Sequence, residues 1–103
     1  MKLNISYRHL ESTESIKAKI EEKADHLKKY FKGHVNIDWV CSVDGDKHSS
    51  EVNVHAGKNH FHSHSEDNCL YKTLDIALNK IEKQIRKKNN MLKDKIHSHT
   101  PLS

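Results

Sequence analysis

The period of the apolar residues changes along the chain, and each change marks an element. From Lys2 to Arg8, Leu3, Ile5 and Tyr7 alternate with Asn4, Ser6 and Arg8, the period of two of a half-buried strand. Ile16, Ile20, Ala24, Leu27 and Phe31 then recur by fours and threes, which predicts a helix from about Glu14 to Lys32. Ser12 or Thr13 can accept hydrogen bonds from its free amides, Glu14 adds favourable charge there, and Gly33 suits a left-handed turn at its end. Period two returns with Val35, Ile37, Trp39, Cys41 and Val43 against Asn36, Asp38, Val40 and Ser42. Asp44 and Gly45 carry hairpin-turn chemistry. In the partner strand Val52, Val54 and Ala56 alternate with Glu51, Asn53 and His55. Gly57, Lys58 and Asn59 turn the chain into a fourth strand, His60 to Ser65, where Phe61 and Ser63 alternate with His60, His62 and His64.

The last element is a long helix, Leu70 to Ile96, with Asp67 or Asn68 as its cap. Leu70, Leu74, Ala77, Leu78, Ile81, Ile85 and Leu92 share one narrow face, as 100° per residue requires. The order is strand, helix, strand, strand, strand, helix. Strands this cleanly alternating bury one face only, so both helices should cover that face. The first two strands, joined through a helix, should be parallel with a right-handed crossover. The expected fold is an α+β domain over 1–96, a four-stranded mixed sheet with two helices on one face, with a flexible tail over 97–103. The arrangement is comparable, at the level of fold, to double-stranded-RNA-binding domains.

Charge separates the final helix from the rest. Leu70 to Ile96 holds eight Lys or Arg and three acids, a net of +5, in a chain whose net charge is +4; the other 76 residues therefore sum to −1. Opposite the apolar face the rotation places Lys72, Lys80, Lys83 and Lys87, with Arg86 beside them and Ile76 among them. A cationic stripe on a near-neutral body is the electrostatic footprint of a polyanion binder. The first helix carries mixed charge, and only Lys23, Lys28 and Lys29, with Arg8 at the end of the first strand, could widen the stripe into a patch. Such residues neutralise phosphates without reading bases.

Two other groupings compete. His60, His62 and His64 project from one side of one strand, His55 can face them from the next, and imidazole suits zinc, nickel or copper. Glu51 is the one acid assigned to that face. The bland alternative is a wet face whose histidines titrate. Asp44, Asp46 and His48 resemble the start of a calcium loop but lack the later ligands, and Asp44-Gly45 is explained by the turn. Cys41 and Cys69 form no CxxC pair and are expected as reduced packing residues. No nucleophile motif or glycine-rich phosphate loop is present, so neither catalysis nor a cofactor is expected. With 34% hydrophobic and 31% charged residues, no apolar run of membrane-spanning length and no signal-peptide core in MKLNISYR, the expectation is a cytoplasmic monomer without membrane or DNA partners.

The stretch LYKTLDIALNKIEKQIRKK resembles the signature helix of the ribosome hibernation-promoting factors, also called ribosome-associated inhibitors or the sigma-54 modulation family. In that pattern a tyrosine precedes a Lys-apolar-Glu-basic-Gln-apolar run, filled here by Tyr71, Lys80, Ile81, Glu82, Lys83, Gln84, Ile85 and Lys87. The opening SYRHLESTESI is similar too, with Arg8 and Thr13 in matching places. The resemblance spans about Met1 to Lys95. It implies a non-enzymatic translation inhibitor on the small ribosomal subunit, in the channel of messenger and transfer RNA, with Lys23, Lys80, Lys83 and Lys87 on ribosomal RNA and Arg86 and Lys88 adjacent. Cys69 stands where an acid is usual, which shifts the helix cap toward Asp67. The histidine-rich fourth strand is unusual for the family. The length fits a short form, for which pairing of ribosomes would need a further, dimerising factor.

Overall fold

The computed structural model describes the backbone of residues 1–97 and the side chains of residues 1–89. Its elements are β1 (Lys2–Arg8), α1 (Glu14–Lys28), β2 (Asn36–Asp44), β3 (Lys47–Ala56), β4 (Asn59–Asp67) and α2 (Leu70–His97). They form one four-stranded sheet in the order β1-β2-β3-β4. β1 runs parallel to β2 with Leu3 opposite Ile37 and Ile5 opposite Trp39. The other two pairings are antiparallel, with Trp39 opposite Val52 and Val54 opposite Phe61. The expected fold class and element order hold. The segment proposed as a tail lies outside the described residues from 98 onward.

Both helices cover one face of the sheet. Ile37, Trp39, Cys41, Val52, Val54 and Phe61 from the strands meet Ile20, Ala24 and Leu27 of α1 and Leu74, Ala77, Ile81 and Ile85 of α2, all buried. Burying each large aliphatic side chain contributes about 1.5–3 kcal/mol, so the stripes that predicted the helices also fasten them. The contacts Ser15 to Tyr71, Lys23 to Asp75 and Tyr30 to Glu82 advance together along both helices, which therefore run side by side in the same direction.

Local chemistry sets the element ends. Thr13 caps α1, its Oγ1 accepting from the Ile16 amide at 3.1 Å. The helix stops at Lys28, four residues short of the expected Lys32, and Gly33 does not provide a left-handed turn. Tyr30 and Phe31 instead donate backbone hydrogen bonds to the Leu27 and Lys28 carbonyls. This three-residue tightening turns Tyr30 toward Glu82 and Phe31 toward Phe61, whose rings lie 6.0 Å apart. Gly45 and Gly57 have φ near +60° and each opens a two-residue hairpin loop, a conformation that glycine adopts without steric cost. Asp67 accepts from the Cys69 amide at 3.0 Å just before α2.

A polar seam seats α2 on β3 and β4. Ser63 donates to the Ala77 carbonyl at 3.0 Å and Ser65 to the Thr73 carbonyl at 2.7 Å. The Thr73 hydroxyl bonds Ser50 at 2.8 Å and the Leu70 carbonyl at 2.6 Å. All four side chains are buried. Small hydroxylated residues let the helix approach closely, and each buried polar atom finds its partner on the helix. The β4 alternation is thus apolar-or-hydroxyl inward and histidine outward.

Candidate nucleic-acid interface

The apolar stripe of α2 fixes where its cations go. With Leu74, Ala77, Ile81 and Ile85 against the sheet, Lys72, Lys83 and Lys87 lie on the outer side, all exposed. Among the described residues, nothing lies within hydrogen-bonding or ion-pairing distance of their ammonium groups. Ile76 is half-buried between them and is not part of the core.

Lys80 and Lys88 are placed differently. Together with Gln84 they form a row at four-residue spacing along the flank of α2 that meets β4, an edge strand. Lys80 donates to the His64 carbonyl at 2.7 Å, and the Gln84 carboxamide bonds both backbone groups of His62. Lys88 bonds Asn59 and sits 5.7 Å from the centre of the Phe61 ring. Lys80 and Gln84 occupy backbone groups that an unpaired edge would otherwise offer to another strand. Both ammonium groups stay exposed at the rim, so their charge still adds to the field.

The opposite flank of α2 holds an acid. Glu82, its side chain only 9% exposed, accepts from the Tyr30 hydroxyl at 2.6 Å and lies 3.0 Å from His26 Nε2 and 3.9 Å from the Arg86 guanidinium. The hydrogen bond to Glu82, followed by burial, raises the Tyr30 hydroxyl above the usual tyrosine range. Arg86 is exposed while reaching back toward that carboxylate. Lys23 is held further in, its side chain 15% exposed and its ammonium 2.5 Å from Asp75 on α2. It joins the helices, whereas its neighbours Lys28 and Lys29, at the end of α1, are exposed.

The residues singled out in the sequence therefore fall into two groups. Since Tyr30 and Phe31 approach Glu82 and Phe61, the end of α1 brings Lys28 and Lys29 to the same end of the molecule as Lys83, Arg86, Lys87 and Lys88. Arg8 lies elsewhere, exposed on β1 at the far edge of the sheet, followed by His9 at φ 62° and beside the β2–β3 turn. Sequence reasoning missed the contacts of Gln84, Glu82 and Tyr71. The Tyr71 hydroxyl, on a side chain that is otherwise exposed, bonds Ser15 at 2.8 Å. The spacing of Lys80, Gln84 and Lys88 immediately beside the apolar stripe was the available signal.

On the open face of the sheet, His55 and His60 stack with ring centres 4.3 Å apart. Asn53 Oδ1 lies 3.2 Å from His60 Nε2 and 2.9 Å from His62 Nδ1. His64 lies 3.0 Å from Glu66, and strand register puts Asp38 and Asp44 on this face as well, so Glu51 is not its one acid as expected. The His64 imidazole, and after it the Lys47 ammonium, hold the Glu66 carboxyl below the usual range. Among the described residues no group of three or more His, Cys, Asp or Glu is placed to hold a metal ion, so the histidines face amide, carboxylate and each other. Among the described residues no helix is long and apolar enough to cross a membrane.

Known proteins share this architecture. The chain is similar to the ribosome hibernation promoting factor of Escherichia coli K12, 27% identical over 93 residues that cover 90% of this chain and 98% of that one. It is 32% identical to the ribosome hibernation promotion factor of Bacillus subtilis over 84% of this chain, which corresponds to 48% of that longer protein. The crystal structure of the Thermus thermophilus Protein Y N-terminal domain superposes with a TM-score of 0.78 at 27% identity, covering 84% of this chain and 98% of that one. A ribosomal subunit interface protein from Coxiella burnetii shares the fold with a TM-score of 0.76 at 18% identity, over 87% and 99% of the two chains. With residues 3–93 matching the family described as sigma 54 modulation protein / S30EA ribosomal protein, this chain belongs to that family.

Proposed function

We propose that this protein is a non-catalytic ribosome hibernation factor that binds ribosomal RNA of the small subunit and idles translation. Its relatives bear the names of hibernation promoting factors and subunit interface proteins. The observation that carries the RNA contact is the outer side of α2, where Lys83 and Lys87 stand exposed because the opposite side of the same helix is buried in the core. Lys28, Lys29, Arg86 and Lys88 flank them, and Lys80 adds charge from the β4 edge. Cations on a rigid helix contact phosphates at fixed spacing, which gives recognition of shape without base reading. Lys72 and Arg8 are peripheral contacts in this reading, and Lys23 supports the surface by holding α1 against α2. In this reading residues 1–96 form the ribosome-binding domain, working in the cytoplasm.

Cosedimentation tests the reading. Replacing Lys83 and Lys87 with glutamate should abolish association with small subunits while the circular dichroism spectrum and the unfolding midpoint stay as in the wild type. Undiminished association of this variant would sink the helix as the contact surface.

A further inference from the structure

The open face of the sheet carries the one concentration of histidines in the described structure that the helix surface does not use. Strand alternation puts Lys2 and Arg8 of β1, Asp38 and Asp44 of β2, Lys47 and Glu51 of β3 and Glu66 of β4 on this face, with His55, His60, His62 and His64 among them. Three bases against four acids leave it near −1 while the imidazoles are neutral. Imidazole is the side chain that ordinarily changes charge between about pH 5 and 8, so protonation of all four takes the same face to +3.

The acids are not spread evenly. Glu66 lies against His64, Glu51 is directly across the ladder from His64, and Asp38 accepts from Asn4 at 3.0 Å. His55, His60 and His62 instead surround Asn53, with no carboxylate opposite them in register. Two protonated rings stacked 4.3 Å apart repel, and an anion resting over both removes that penalty. Anion binding and proton uptake are then reciprocally linked. His60 and His62, on the edge strand, also adjoin the helix, because Gln84 holds the His62 backbone and Lys88 reaches Asn59 next to His60.

We propose that His55, His60 and His62 form a second contact for the RNA phosphate backbone, continuous with α2 around the β4 edge and engaged when the histidines are protonated. It rests on the reading of α2 as the RNA-binding helix only for the identity of the polyanion. Acidification would then tighten binding without any change in fold.

The test measures binding of a short RNA duplex at pH 5.8 and pH 7.8 across a salt series. The wild type should bind at least about tenfold more tightly at pH 5.8 in 0.1 M salt, with a steeper log-log salt dependence, each added phosphate contact contributing about 0.7–0.9 to the slope. A variant carrying His55→Gln, His60→Gln and His62→Gln should match the wild type at pH 7.8 and lose the gain at pH 5.8, and His60→Gln alone should lose part of it by breaking the stack. Equal pH responses of wild type and triple variant, or no response in either, overturn the proposal. The charge-reversed Lys83 and Lys87 variant separates the two readings. If it binds like the wild type at pH 7.8 the helix reading fails, while the difference between wild type and the histidine variant still decides the open face.

Discussion

Gln84 reads the backbone of His62 as a neighbouring strand would: its Nε2 donates to the His62 carbonyl at 2.5 Å, and its Oε1 accepts from the His62 amide at 3.2 Å. A carboxamide is the side chain that offers one donor and one acceptor with this separation. Gln84→Ala should cost about 1 kcal/mol in urea unfolding and expose the β4 edge, with a rise in light scattering at high concentration. Gln84→Glu loses the donor and sets a carboxylate against a carbonyl, so it should be less stable than the alanine variant at neutral pH. An unchanged unfolding midpoint in both would refute a structural role for this residue.

Tyr30 and Glu82 give the fold a dependence on alkaline pH. Because its hydrogen bond to Glu82 and its burial raise the folded hydroxyl above its ordinary value of 10.0, the native state keeps that proton longer than the unfolded chain does. The resulting stability is fully present below about pH 10 and declines above it. Tyr30→Phe should therefore cost about 1.5–3 kcal/mol at pH 8, as for a hydrogen bond to a charged group. The gap to the wild type should narrow at pH 10.5. A gap that stays constant across that range, by urea unfolding, would remove Glu82 as its cause.

Element order and core were legible because each rests on period. Alternation at Ile37, Trp39 and Cys41 and the stripe from Leu70 to Ile85 have physical meaning before any tertiary contact is known. The end of α1 was not legible, since Phe31 continues the helical spacing in sequence yet packs on Phe61 only by leaving the helix. Nor were the partners of Lys23 and Gln84, because an ion pair with Asp75 or a hydrogen bond to His62 spans 52 or 22 positions. A lysine that binds phosphate and one that holds a helix look alike in a linear pattern. Alternation set Ser63 in phase with Phe61, but the partners of the inward serines were hidden for a related reason: Ser63 and Ser65 become core residues only when α2 offers carbonyls to them.

The two thiols should separate in reactivity. Cys41 is fully buried on β2, and desolvation pushes its thiol up to about 11 despite the hydrogen bond from Ser50. At pH 8 only about one molecule in a thousand then carries the reactive thiolate. Cys69, half-buried before α2, should take a thiol reagent in the native protein, and Cys41 only at the rate of unfolding. Titration with a chromophoric disulfide should give one fast equivalent under native conditions and two in urea. Two fast equivalents in the native state would contradict the burial of β2.

Lys23 and Lys83 are both lysines in the family-matching region, and their surroundings predict opposite phenotypes. The Lys23 ammonium is 2.5 Å from Asp75 and its side chain is largely covered, so Lys23→Ala leaves Asp75 without its partner across the α1–α2 contact. It should lower stability by up to about 1 kcal/mol, because Asp75 itself is exposed, and should leave the salt dependence of RNA binding nearly unchanged. Lys83 stands exposed with no such partner among the described residues. Lys83→Ala should alter stability by less than about 0.5 kcal/mol and should lower the slope of log affinity against log salt by about 0.7–0.9. Measuring unfolding and the salt slope on both variants decides the matter. Should Lys23→Ala lower the slope as much as Lys83→Ala, the pairing with Asp75 yields to RNA in the complex, and the helix contact would extend across both helices.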